Sequence, residues 1–420
     1  MKTVAIIISI DTKEAEARFL KKFIEDNGAK ALVIDISARG NYNFVPDVTR
    51  EEVCLAGGRK YEEMAGKAKN EVVQAMLEGA RVLVPELYES GRFDGIISAG
   101  GLQNTMIAAN VMQLLPLGVP KVIVSTVACG ERRFEPFVGI KDIVMIPAIA
   151  DIAGLNAVTE LILSNAAAAV IGMLKTSRPL KPDGRLRIGT TLMGVTNASA
   201  VQAAEILKED GLEVVCFHST GVGGRYFEYL IEEGIINAAM DLSLHEITSG
   251  SVFGLGFSNG APNRLLISCS KNIPIVVAPG ALDFIDVYVK DLYGGVLGDY
   301  RKRKYNLHNN EVAHVKVFAD EAKKAADIVV ERLNKSIGPV TVLLPLRGLR
   351  ADSQPGQKLH DPEVDGVIVE TLRKGLKPQI KKVEVDANLN DVEFSRTAAQ
   401  EMKLLLKEFY NWKEDGGSVF

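Results

Sequence analysis

The chain offers little cysteine chemistry. Its four cysteines, Cys54, Cys129, Cys216 and Cys269, are scattered through 420 residues. No two form a C-x-x-C pair, which favours reduced thiols in a cytoplasmic protein over a disulfide scaffold. Nor does the sequence pair a histidine with Cys129, which stands beside Gly130, so nucleophilic thiol chemistry has no second partner. Basic excess is also missing. The formal net charge is −4, and the one basic run, RKRK at 301–304, is too short to make a nucleic-acid surface. Long apolar runs are interrupted. MKTVAIIISI meets Asp11, Lys13 and Glu14, and the stretch from Leu155 to Leu174 is broken by Asn156, Thr159, Glu160, Ser164 and Asn165, so no membrane span is expected. There is no Walker phosphate loop, no full G-x-G-x-x-G and no G-x-S-x-G elbow.

What is present is length, apolar content and glycine. With 420 residues, 47% hydrophobic, and 38 glycines, the chain predicts two α/β domains rather than one core. A strand from Thr3, a helix with Ala17, Leu20, Phe23 and Ile24 on one face, and the strand ALVIDIS make a β-α-β opening, hence a parallel sheet. KTSRPLKPDGR, residues 175–185, reads as the linker, dividing domains 1–180 and 181–420. Within the first domain, FDGIISAGGLQNT (93–105) is a buried strand, a Gly-Gly turn and a helix start. Gly100 and Gly101 let a ligand approach the backbone, and exposed helix N–H groups suit phosphate oxygens. Asp11, Thr12 and Lys13 follow the first strand, and Ser125, Thr126 and Gly130 follow a later one. All converge on the strand ends where open α/β sheets bind ligands. Thr12 and Lys13 suit phosphate; Asp11 suits a ribose, a metal or the turn itself.

The second domain repeats the strand, glycine turn and helix pattern in LEVVCFHSTGVGG. His218 stands at its strand end and is the expected proton-transfer residue, since histidine titrates near neutral pH. Glu246 is expected to orient water or substrate or help hold a divalent ion, and Arg264 to clamp an anionic group. Asp283 is assigned a hydroxyl or a cation. The competing reading is that His218 and Arg264 only stabilise two glycine-rich loops. His218, Asp241 and His245 match no specific zinc spacing, so no metal ligands are assigned; magnesium shared between a carboxylate and a nucleotide phosphate fits better.

SAGGLQNT, STVACG, DIAGLN, FHSTGVGG, GAPNRL, PGALD, YNLHNN, LPLRG and DPEVD, in this order, carry a resemblance. Over almost its whole length the chain resembles the two-domain ATP-binding family that includes the N-terminal region of the tomato mosaic virus resistance protein. The resemblance implies two Rossmann-like domains with mainly parallel sheets, ATP binding in the N-terminal domain and a homodimer. It implies that Gly100, Gly101, Asn104 and Thr105 face phosphate, with Thr12, Lys13 and Thr126 nearby. An interdomain cleft would then bring a substrate in the second domain towards the nucleotide. Three classes follow: an ATP-dependent enzyme acting on a small anionic metabolite, a nucleotide-binding regulatory protein without turnover, and a metabolic enzyme that does not use ATP.

Overall fold

The run TVAIII is apolar at almost every position because both faces of its strand are covered. In the computed structural model, which describes residues 1–127 and 135–413, it forms β1 (Thr3–Ile8). β1 joins β2 (Lys30–Asp35), β3 (Gly95–Gly100), β4 (Lys121–Ser125) and β5 (Val144–Pro147) in a sheet of order β2-β1-β3-β4-β5. Every pairing in it is parallel. Val4, Ile6 and Ile8 pack with Leu20 and Ile24 of the helix Ile10–Asp26 and with Leu163 and Val170 of the helix Ala157–Thr176. Ala5 and Ile7 point the other way, into a cluster with Val72, Met76 and Ile107. That alternation is the period-two geometry of a strand, and each isoleucine so buried contributes about 1.5–3 kcal/mol.

The chain divides into two compact units, Met1–Leu180 and Lys181–Phe420. The second unit contains β6 (Arg187–Leu192), β7 (Glu213–His218), β8 (Ala238–Asp241), β9 (Ile275–Val277), β10 (Phe284–Tyr288), β11 (Tyr305–Leu307), β12 (Val312–Lys316), β13 (Val340–Pro345) and β14 (Lys381–Val385). Six of them form a second parallel sheet, β14-β13-β9-β8-β6-β7. Both units are therefore Rossmann-like α/β folds. In each, winding reverses beside the first strand, between β1 and β3 and between β6 and β8, which leaves a crevice at the carboxyl ends. Trp412 is buried with Phe394, Met402 and Leu406 in the second unit's core.

One expectation changes. The sequence predicts a helix from about Glu311, but Val312–Lys316 is β12, and the helix begins at Ala319. Here Ala313 and Val315 join an apolar cluster with Ile285 and Val287, while His314 and Lys316 turn towards acidic partners. The segment alternates with period two, so it is a strand. With β10 and β11 it makes a separate antiparallel sheet, β10-β12-β11. The stretch from Leu155 forms the helix Ala157–Thr176. Among the described residues it is a helix long and apolar enough to cross a membrane, yet Leu163, Ala166, Ala167 and Val170 lie in the first unit's core.

Candidate functional site

At the winding reversal of the first unit, two helices start side by side in the fold but differ in how their first turns are satisfied. For the helix Ile10–Asp26, the N–H of Ile10 donates to Asp35 (3.3 Å) and that of Asp11 to the Ser37 hydroxyl (2.9 Å). The helix Leu102–Met112 begins at Gly101 with no side-chain cap. Its first-turn N–H groups and the positive end of its dipole are thus suited to an anion.

The two glycines of the turn play different parts. A Cβ on Gly100 would lie 2.6 Å from the Cβ of Asn104, so packing itself requires glycine there. Gly101 has φ −80° and ψ −165°, open to any residue. A Cβ there would meet only the Thr126 hydroxyl, at 3.7 Å. The protein's own packing does not demand a glycine at 101; the space a side chain would fill lies in front of an uncapped helix. Ser9, 6% exposed, follows β1 at the same reversal, and its hydroxyl is buried with no hydrogen-bond partner.

Asn104 and Thr105 are buried and bind the strand ends together. Asn104 Oδ1 accepts the N–H of Ser9 (3.0 Å), and its amide donates to Ser98 Oγ (2.6 Å), which donates to the Ile7 carbonyl (2.7 Å). Thr105 Oγ1 lies 2.7 Å from Ser125 Oγ. These two side chains fix the turn and leave the helix start at Gly101 without a side-chain cap. Asp11 Oδ2 accepts the N–H of Arg39 (3.1 Å) and so closes the loop after β2. Thr12 is exposed, and Lys13 Nζ donates to the Thr12 carbonyl (3.1 Å) where φ −136° kinks the helix. Cys129 and Gly130 lie outside the described residues.

Sequence reasoning passed over Ser9 and Asp35. Asp35 is fully buried at the end of β2 and accepts hydrogen bonds from Ser37 and Tyr42; burial raises its pKa against those bonds. The signal was available: an acid directly after the apolar run ALVI.

In the second unit, the glycine turn after β7 is filled from within. Gly221, at φ +90°, turns the chain into the helix Val222–Glu232. The N–H groups of Gly221 and Gly224 donate to Glu246 Oε1, at 2.5 and 3.1 Å. The protein's own carboxylate occupies the position a phosphate would take. Arg264, fully buried, bonds Glu246 on one side and Asp241 on the other, 2.5 and 2.7 Å from its two oxygens. Thr191 donates to the same aspartate (2.5 Å). Burial alone would lower the Arg264 pKa, but Asp241 and Glu246 outweigh it and the net shift is upward. Neither Glu246 nor Arg264 reaches the surface.

His218 is exposed at the end of the edge strand β7 and takes no part in the buried Glu246–Arg264 pairing. Asp283 is fully buried; Arg350 Nε lies 2.9–3.0 Å from its oxygens and Lys316 Nζ 2.6 Å away. Burial would raise its pKa, and the charges of Arg350 and Lys316 hold it low instead. The four expected catalytic residues thus form one pair, Glu246 with Arg264, and two separate positions. His245 is also buried. Its Nε2 lies 3.1 Å from both Ser249 Oγ and Asp286 Oδ1, and Nδ1 lies 3.1 Å from the Ala281 carbonyl. Serine and aspartate share one ring nitrogen, which is not the relay geometry of a triad. Among the described residues no group of three or more His, Cys, Asp or Glu is placed to hold a metal.

Residues 2–179 match the N-terminal domain, and residues 185–406 the C-terminal domain, of the Uncharacterised protein family (UPF0261). A UPF0261 protein of Clostridium tetani (strain Massachusetts / E88) is 35% identical over 403 residues, which cover 96% of this chain and 98% of that one. The ToMV resistance protein Tm-1(GCR237) of Solanum lycopersicum is 30% identical over 413 residues, covering 92% of this chain. Only 53% of the tomato protein is covered, so the chain spans about half its length. Among solved structures, a UDP-GlcNAc 2-epimerase of Methanocaldococcus jannaschii in complex with UDP-GlcNAc and UDP covers 100% of this chain and 95% of its own. Its TM-score is 0.22 at 10% identity, too slight a likeness to bear on function.

Proposed function

The chain belongs to the Uncharacterised protein family (UPF0261), and from the geometry of its first unit we propose that it is a nucleotide-binding protein holding ATP by its phosphates at the start of the helix Leu102–Met112. The observation that carries this is Gly101: a glycine that neither backbone angle nor packing requires, at an uncapped helix N-terminus. Phosphate oxygens would accept from the N–H groups of Gly101 and the residues after it, beside Thr126. Ser9 Oγ, buried without a partner, supplies one further donor. Thr12 and Lys13 follow β1 at the same end of the sheet, where Lys13 would balance phosphate charge. Magnesium would be carried chiefly by phosphate oxygens. The ATP binding that the sequence resemblance implies favours ATP over other nucleotides in this reading, and an ATP-dependent reaction on a small anionic metabolite is the activity proposed.

Replacing Gly101 with valine tests the reading. The variant is expected to fold, since the added Cβ meets only Thr126 at 3.7 Å. It is expected to lose ATP affinity by about tenfold or more, the loss of roughly one charge-assisted hydrogen bond. Calorimetric titration that returned wild-type affinity for a folded Gly101→Val protein would remove the phosphates from this turn.

We further propose a homodimer joined through the outer face of Ala157–Thr176, where Val158 and Leu161 are 41% and 59% exposed beside Ala168 and Gly172. Sedimentation velocity at micromolar concentration should give twice the monomer mass, and Leu161→Lys should return it to 45.5 kDa. A monomer in the wild type would end the proposal.

A further inference from the structure

A cavity of about 570 Å³ opens in the second unit at the carboxyl ends of β13 and β14, within the size range of small-molecule sites. Pro345, which ends β13, and Asn388, just beyond β14, form its floor. One face of the helix Pro362–Gly375 makes a wall. Two proton-carrying groups line it with opposite abilities.

His360 Nδ1 lies 2.7 Å from the carbonyl oxygen of Ser353. A carbonyl only accepts, so in the neutral ring Nδ1 carries the hydrogen and Nε2 is left as the acceptor. Among the described residues Nε2 has no hydrogen-bond partner. Asp365 is 8% exposed, and its Oδ1 lies 2.6 Å from Lys316 Nζ; Oδ2 takes no hydrogen bond from any described residue. The charged groups that face Asp365 are Lys316 on β12, Asp283 before β10 and Arg350 after β13. Lys316 is shared, because its Nζ also lies 2.6 Å from Asp283. Burial and the Asp283 charge therefore raise the Asp365 pKa to about 7, with Lys316 opposing. Asp365 thus keeps its proton to higher pH than a free carboxyl and can donate it, while His360 Nε2 is left by the Ser353 contact as an acceptor.

Arg347 and Arg373 also line the cavity. Each guanidinium rests on exposed or half-exposed carboxylates, Asp386 for Arg347 and Glu370 and Glu384 for Arg373. Surface pairs of this kind contribute little and exchange readily for a ligand carboxylate, which the guanidinium fork fits in two-point fashion.

We propose that this cavity is an acid–base site for a small 2-oxo acid, independent of nucleotide: Arg347 or Arg373 takes the carboxylate, Asp365 protonates the ketone oxygen, and His360 Nε2 removes a proton from the adjoining carbon. The C–H electron pair becomes the carbon–carbon double bond of an enol, and the carbonyl π pair takes the Asp365 proton. His360 is left as imidazolium, and Asp365 as a carboxylate beside the Lys316 ammonium. Reversal returns both protons, so in deuterium oxide the substrate gains deuterium with no oxidant or co-reactant.

Pyruvate in deuterium oxide, with no nucleotide added, tests this by loss of its methyl proton signal. The wild type is expected to exceed buffer by about 10²-fold or more, as positioned acid–base groups do. Asp365→Asn and His360→Gln should each fall back towards buffer with folding retained, judged by the fluorescence of the single tryptophan in the second unit. The wild-type rate should decline as pH rises above about 7, where Asp365 loses its proton. Buffer catalysis rises over that range, so the profile decides the matter even where a variant fails to fold. Wild-type exchange no faster than buffer, an unchanged rate in folded Asp365→Asn, or a rate that still climbs well above pH 7 would overturn the assignment.

Discussion

Arg264→Met is expected to destabilise the second unit by about 3–5 kcal/mol, the cost of leaving buried charge uncompensated. Asp241 and Glu246 are both fully buried, and Arg264 is the cation between them. Methionine matches the length of the stem but carries no charge. A substrate-clamping arginine would behave differently, losing activity while the fold stayed intact. The measurement is urea unfolding followed by Trp412, the single tryptophan, whose burial in the second unit's core makes it a local reporter. A compensating variant sharpens the test. Asp241→Asn and Glu246→Gln keep an oxygen for Thr191 and for the N–H groups of Gly221 and Gly224, so the triple replacement should recover most of the loss. Buried ion triads replaced by neutral groups commonly do so. Wild-type stability in Arg264→Met alone would dismiss the network.

The second large effect is on pH. Glu228 is 2% exposed and accepts the N–H groups of Leu265 (2.5 Å) and Ser268 (2.8 Å). Burial raises its pKa from 4.5 to about 7, with Arg264 opposing. The folded chain thus keeps a proton that the unfolded chain releases. Its stability is highest below the unfolded pKa and falls as pH rises towards 7, by about 3 kcal/mol for such a shift. Asp365 adds a slope of the same sign. Asp283 and Asp286 are held low, by Arg350 and Lys316 and by His245 respectively, against the effect of burial. Their contribution is lost only below about pH 4. Between pH 5 and 8, then, the second unit should lose stability, and Glu228→Gln should remove roughly half of that loss. Equal slopes in wild type and variant, read by Trp412 in urea, would refute the assignment.

Much of the fold was legible because it is written in short-range pattern. TVAIII and VTVLLP are continuous apolar runs of strand length, and strands buried on both faces need little else. The turn at Gly100 and Gly101 was legible for the same reason: strand, glycines and helix are contiguous. The site in the second unit was not. HSTGVGG has the local form of a phosphate turn, and nothing within it says that Glu246 fills it. Asp365 gave no signal, because its altered proton affinity depends on Asp283 and Lys316, distant in sequence.

The amino-acid order by itself determined two parallel α/β units, their division near residue 180, and an open glycine turn in the first, since hydrophobic period and turn chemistry act over a few residues. Only the tertiary structure decided which charged groups are spent on the fold and which face a cavity. Arg264 meets carboxylates 18 and 23 residues away, and Lys316 meets partners 33 and 49 residues away. Desolvation makes each such pairing obligatory once the groups are buried, but which groups become buried together is set by strand order, and strand order is not a local property.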